Sequence, residues 1–182
     1  MARYRAVNAL SSVDAAYIAG LVDGEGTITL SRKHAGDGRQ LVISISNTER
    51  PILDFVLLQT GAGKITKKKA LKQQHAPSFA YAIWNRQALD LLVQIQPFLR
   101  SYKQRRAELV REHYVRLTPR NGKYTTALRT ARDQFEAELL ALRAVRDNDA
   151  SRKASAPAET AGSTSPTEER AEQSADQRAA GL

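Results

Sequence analysis

The residue best suited to chemistry in this chain is the carboxylate of Glu25, near the end of the string Tyr17-Ile18-Ala19-Gly20-Leu21-Val22-Asp23-Gly24-Glu25-Gly26. Ala16, Ala19, Gly20 and Asp23 fall near one another at helical spacings and, apart from the Asp, have almost no side-chain bulk. A helix face of that kind lets two backbones approach closely. If two such helices from two copies of the chain pack side by side, their C-terminal ends bring two Glu25 carboxylates near the twofold axis. Two like charges there need a cation between them or must shift their pKa. Hard oxygen ligands with room for water suit Mg2+, and paired ions can stabilise both the attacking and the leaving oxygen of an in-line phosphoryl displacement. The competing reading is a small-residue core helix ending in an Asp-Gly turn. For Gly20 or Asp23 taken singly that reading is the better one, and only the whole string weighs against it.

The elements that must position these residues are legible around them. Ser11-Ser12 reads as an N-cap, Asp14 as an acidic residue in the first turn, and Val13 to Val22 as an apolar helix that Asp23-Gly24-Glu25-Gly26 brings to an end. Period-two alternation over Thr27–Lys33 and again over Gln40–Ser46, with Ala35-Gly36-Asp37-Gly38 between them, predicts a β-hairpin. Glu49 to Leu58 reads as a helix with Pro51 in its first turn, broken by Gly61-Ala62-Gly63. A second hairpin runs from Lys64–Lys69 to Phe79–Trp84, and Asn85 is suited to cap a helix from Gln87 to Ile95. After Pro97 a basic helix is expected from Phe98 towards Val115, and after Pro119-Arg120-Asn121-Gly122 another from about Thr125 to Val145.

This αββαββα order, with its motif at the end of the first helix, resembles the LAGLIDADG homing endonucleases of the type with one motif per subunit. The resemblance covers residues 13 to about 115. It includes Gln96-Pro97-Phe98-Leu99 followed by the Lys- and Gln-containing stretch Lys103-Gln104-Arg105-Arg106. It implies an α+β fold, an antiparallel β-saddle flanked by helices with further helices at the C-terminus. It also implies a homodimer whose Ala16, Ala19, Gly20 and Asp23 form the interface. Glu25 and the backbone carbonyl of Gly24 are then metal ligands, for two or more Mg2+ per dimer. By the same resemblance Asn47 and Lys103 join Glu25 at the catalytic centre, positioning water and stabilising charge near the scissile phosphates. Asn47 equally suits a turn or helix cap.

Composition agrees with a nucleic-acid partner. The chain has 28 Lys and Arg against 19 Asp and Glu, a net charge of +9. Residues 151–182 hold four basic residues, Arg152, Lys153, Arg170 and Arg178, and five acidic ones, so the excess lies in the first 150. That balance favours a polyanion. No stretch is apolar enough to cross a membrane and no apolar leader is expected at the start, which points to a soluble, intracellular protein and leaves nucleic acid as the favoured polyanion. The absence of cysteine excludes disulfides and Cys-based zinc sites, and His34, His75 and His113 lack ligand spacing. We expect a core over residues 1–118, a helical extension over 119–149 and a disordered polar tail over 150–182, which lacks aromatics, Ile, Val and Met.

Strand parity then selects the surface that would read DNA. Ile28, Leu30, Leu41, Ile43 and Ile45 share the inward parity of the first hairpin, leaving Thr29, Ser31, Lys33, Gln40, Val42, Ser44 and Ser46 outward. In the second, Ile65, Phe79, Tyr81 and Ile83 face inward, and Lys64, Thr66, Lys68, Ala80, Ala82 and Trp84 join the outer surface. A twisted β-ribbon fits the major groove, where such side chains reach base edges. Lys67-Lys68-Lys69 also reads as a solvated edge that resists aggregation.

The function expected is therefore site-specific, Mg2+-dependent double-strand cleavage of a long pseudo-palindromic DNA by a homodimer, as in intron homing. The alternatives are a non-cleaving nucleic-acid binder of the same fold, an intron maturase or a transcription regulator, and a basic α+β module that contacts protein or RNA.

Overall fold

The computed structural model describes residues 6–32, 34, 38–68, 77–119 and 122–144. Ser11 caps helix α1 (Ser12–Glu25), its hydroxyl accepting from the Asp14 amide at 3.1 Å and donating to the Asp14 carboxylate at 2.6 Å. The helix continues through Asp23 and Gly24 to Glu25, further than the Asp-Gly signal suggests, and passes at Gly26 directly into strand β1 (Gly26–Ser31). β2 (Gln40–Asn47) returns antiparallel, with Ile28 opposite Ile43 and Leu30 opposite Leu41. Helix α2 (Arg50–Thr60) has Pro51 in its first turn and stops at Gly61, whose φ of 62° is a left-handed conformation that costs glycine little.

β3 (Lys64–Lys67) and β4 (Phe79–Trp84) complete one four-stranded sheet of order β1-β2-β4-β3, so the two hairpins join through β2 and β4 and leave β1 and β3 as edges. The expected β3 extended to Lys69, which lies outside the described residues. Helix α3 (Asn85–Ile95) follows without a linker. Asn85 is not its cap, as the sequence suggests. Trp84 holds that position, and Asn85 takes a left-handed φ of 54° that turns the chain from strand to helix, a conformation Asn tolerates better than most residues. Its side chain instead donates to Gln40 at 3.0 Å and accepts from the Tyr114 hydroxyl at 3.3 Å.

The expected basic helix begins later than Phe98. Gln96–Phe98 form a 3-10 turn, Leu99 is extended and buried, and α4 runs from Tyr102 to His113 with Ser101 as its cap. Helix α5 (Thr126–Ala141) buries Phe135 and Leu139 in the same cluster as the sheet. It is tied to β1 through guanidinium groups. Arg106 of α4 donates to the Ile28 carbonyl at 2.7 Å and to the Leu142 carbonyl after α5, and Arg39 donates to the Leu30 carbonyl at 3.3 Å. The expected tail, residues 150–182, lies outside the described residues.

The inward parity is occupied as the pattern requires: Ile28, Leu30, Leu41, Ile43, Ile45, Tyr81 and Ile83 are all buried, packed with Ile18 and Val22 of α1 and Leu53, Leu91, Leu92 and Ile95 of α2 and α3. Tyr81 is the polar member of this core. Its hydroxyl donates to the Ala62 carbonyl at 2.9 Å and lies 3.1 Å from the Thr60 hydroxyl. Burial pushes its pKa from 10.0 up to about 12, against a smaller opposing effect of the Thr60 hydrogen bond. The folded state therefore holds this proton more tightly than the unfolded chain. The associated stability is complete below pH 10 and is lost as pH rises through about 12. Two pKa units correspond to about 3 kcal/mol. Tyr81→Phe is expected to flatten part of the alkaline fall in the urea midpoint; burial raises Tyr114 too, so some of the fall persists. Identical alkaline profiles for the two proteins would show that the Tyr81 phenol is not responsible.

Candidate active site and nucleic-acid interface

Glu25 is the last residue of α1 and is exposed, as is Gly24 beside it. The end of the helix that carries it is clamped reciprocally to the start of α4. The Asp23 carboxylate accepts from the Arg100 amide at 2.6 Å, from the Ser101 hydroxyl at 2.5 Å and from the Ser101 amide at 3.4 Å. In the other direction Lys103 donates from Nζ to the carbonyls of Val22 and Asp23, both at 2.8 Å. A carboxylate thus faces the N-terminus of α4 and a cation the C-terminus of α1, each the favourable sign for the helix dipole it meets. Ser101, absent from the expected site, holds both ends of this joint. It accepts from the Lys103 amide at 3.2 Å while binding Asp23, and the Ser-x-Lys pattern before a helix is the signal that could have found it.

This geometry changes two of the expected assignments. Asp23 is half-buried and bonded within its own chain, which removes it from the small-residue face where its spacing placed it. Ala19 leaves that face as well, since it is fully buried against the core. The residues of α1 that share an open face are Ala16, Gly20 and Gly24, at four-residue intervals, and nothing lies within 4 Å of where a Cβ on Gly20 or Gly24 would stand. Val13, 79% exposed, and Tyr17, 47% exposed, lie on the same helix beside a groove shared with Pro51, Ile52 and Phe55 of α2.

Lys103 feels the charge of Glu25, but 5% exposed and with its ammonium bonded to two carbonyls it is an anchor for α1. Burial lowers its pKa, a shift opposed by the Asp23 carboxylate, reinforced by Arg106 and opposed again by Glu25. Between the lowered folded value and the ordinary 10.5 the unfolded chain binds the extra proton, so this group makes stability rise with pH in that window. Lys103→Met removes a donor from the Val22 and Asp23 carbonyls, of which Val22 keeps the Gly26 amide, and is expected to cost on the order of 1–3 kcal/mol. Urea denaturation followed by circular dichroism reads this, and an unchanged midpoint would refute the anchoring role.

Asn47 stands at the end of β2 and accepts at Oδ1 from the Glu49 amide at 2.9 Å, the turn arrangement its residue type suits. Among the described residues no cluster of three or more His, Asp or Glu could hold a metal ion within one chain. The donors at this end of α1 are the Glu25 carboxylate and nearby backbone oxygen, hard ligands that fit Mg2+ if a second carboxylate comes from outside the chain.

The outer face of the sheet forms cross-strand rows: Thr29 with Val42 and Trp84; Ser44 with Ala82 and Lys64; Ser46 with Ala80 and Thr66; Ser31 with Gln40. Thr27, opposite Ser44 and exposed, belongs to the second row and was missed because it sits at the motif boundary. Lys68 is exposed just beyond β3, its amide donating to the Ser78 carbonyl at 2.7 Å. Val42 is only 8% exposed and offers little surface, and Lys33 lies outside the described residues. The face is thus mostly hydroxyl, amide and small side chains, with its lysines on β3 and just beyond it.

Comparison with known proteins places this geometry. Residues 12–79 match the LAGLIDADG-like domain family. No curated protein matches the chain by sequence. Among solved structures, the homing endonuclease I-CvuI in complex with its target in the presence of calcium is 17% identical with a TM-score of 0.59, over 74% of this chain and 85% of that one. The archaeal intron-encoded homing endonuclease I-Vdi141I complexed with DNA is 20% identical with a TM-score of 0.57, over 72% and 84%. The LAGLIDADG meganuclease I-AabMI bound to uncleaved DNA is 17% identical with a TM-score of 0.53, over 77% of this chain and 49% of that one. The chain therefore carries a LAGLIDADG-like domain and has the fold of the LAGLIDADG homing endonucleases. No helix among the described residues is long and apolar enough to cross a membrane.

Proposed function

We propose that this protein is a homing endonuclease that binds a long, pseudo-palindromic DNA as a homodimer and cleaves both strands with Mg2+. The observation that carries the reading is an exposed carboxylate, Glu25, at the end of a helix whose open face is Ala16, Gly20 and Gly24, next to a sheet whose outer surface is lined by hydrogen-bonding side chains. Pairing of α1 with its copy through that face supplies the second Glu25 that a metal site needs. When bound there, Mg2+ supplies Lewis-acid stabilisation of the attacking and leaving oxygens. The chain's own part is positioning. Glu25 provides the charge that holds the ion, Lys103 and Asp23 fix the helix end that presents it, and the sheet rows set the register of the DNA over it. Asn47, the last residue of β2, is proposed to order water at the scissile phosphate.

The test is incubation of the protein and Mg2+ with a DNA made by rejoining the genomic sequences that flank its reading frame, together with sedimentation to establish the dimer. Specific double-strand cutting by a dimer is expected. Specific binding without cutting would turn the reading to a maturase or regulator of the same fold, and a strict monomer that ignores the DNA would overturn it.

A further inference from the structure

The helix α5 and the far end of β1 enclose a basic groove of about 300 Å3, lined by Arg32, Arg39, Arg129, Arg132, Tyr124 and Glu136, with Asp133 at its side. Four guanidinium groups face two carboxylates there. Arg39 and Arg132 are held by Glu136, at 3.3 Å and 2.8 Å. Arg132 is further fixed by the Arg39 carbonyl at 2.6 Å and by the Thr118 hydroxyl, and its guanidinium lies over the rings of Tyr114 and Phe135. These two arginines build the groove wall. Arg32 and Arg129 differ from them: both are exposed, and neither side chain has a hydrogen-bond or ion-pair partner among the described residues. The groove thus presents two free planar donor forks and a tyrosine on a rigid wall of residual positive charge, with one carboxylate, Asp133, opposing them.

We propose that this groove holds sugar-phosphate backbone of the bound DNA within each half-site, an assignment that rests on the function proposed above. The position follows from the strand. Glu25 and Arg32 bracket β1, whose six residues span roughly 20 Å, the length of about six base pairs. With Glu25 near the twofold axis, Arg32 and Arg129 lie about six base pairs out along each half-site, where guanidinium forks suit phosphate oxygens. Helix α5, whose Phe135 and Leu139 anchor it in the core, thereby extends the protein's grip along the duplex.

The test is equilibrium binding of a random-sequence 24-base-pair duplex across a salt series, for wild type, for the double variant Arg32→Ala/Arg129→Ala, and for Arg105→Ala/Arg111→Ala, which removes the same charge from exposed positions of α4. Each phosphate neutralised contributes about 0.9 to the slope of log K against log salt, so the groove variant is expected to lose roughly 1.8 of that slope. The α4 variant should keep the wild-type slope. Equal losses in both double variants would mean that net charge alone is at work and would overturn the proposal, as would an unchanged slope in the groove variant. A wild-type protein that binds no duplex would sink the proposed function and this inference together, whereas duplex binding with an unaffected groove variant sinks only this one.

Discussion

Glu25→Gln is expected to lower the rate of DNA cleavage by about a thousandfold or more while leaving DNA affinity within a few-fold of wild type. The substitution keeps shape and removes the charge on which the proposed metal binding depends. A loss of several kcal/mol of transition-state stabilisation corresponds to that factor at 1.36 kcal/mol per decade. Binding should survive because Glu25 lies at the helix end, outside the sheet rows. The measurement is single-turnover cleavage at saturating protein, with affinity read separately in Ca2+ or without divalent ions. Cutting at equal rates by both proteins would remove Glu25 from the chemistry. A collapse of binding along with cutting would instead point to a structural role at the joint with α4.

The second large effect concerns stability. A Cβ on Gly26 would stand 2.6 Å from the Val22 Cα, 2.8 Å from the Val22 carbonyl oxygen and 3.0 Å from the Ser44 carbonyl oxygen, all backbone atoms that cannot swing aside. The glycine is needed for this close approach, since its φ of −106° is open to any residue. Gly26→Ala should force α1 away from β2 and cost about 2–4 kcal/mol, in the range of overpacked cores or above it. Thermal unfolding should show a drop of roughly 5–15 °C, given about 2–4 °C per kcal/mol for domains near 150 residues. Gly20→Ala, at an open position, is the comparison that should leave the isolated chain's stability nearly unchanged. Equal melting temperatures for Gly26→Ala and wild type would show that the junction relaxes freely.

Much of this architecture is legible in the order of the residues. Alternation at period two places Ile28, Leu30, Leu41, Ile43 and Ile45 on one face, because a single buried side of a sheet leaves parity no freedom. Pro51 and Gly61 mark the limits of α2 through constraints that act on one residue at a time. What escapes is long-range. The period of a helix gives Ala16, Ala19, Gly20 and Asp23 one common neighbourhood. Only the packing of α1 on the sheet and on α4 decides that Ala19 turns inward, that Asp23 binds Ser101, and that Gly24 completes the open stripe. Lys103 shows the same limit. Its proximity to Glu25 follows from the resemblance, yet the partners of its ammonium, two carbonyls some 80 residues away, carry no side-chain signature that spacing could reveal. Asn85 is ambiguous for a related reason, since a residue suited to capping is also one suited to a left-handed turn.

The guanidinium groups that reach β1 also decide how copies of this protein can meet. An outermost strand is ordinarily a template on which a second chain can lay a strand of its own. Here the Ile28 and Leu30 carbonyls of that strand already have Arg106 and Arg39 as donors. An incoming strand would have to displace two charge-assisted bonds before making its first, so continuation of the sheet from one molecule to the next is closed along β1. Of the two edges that leaves β3, whereas on α1 a helix laid against Gly20 and Gly24 would meet no side chain in its way.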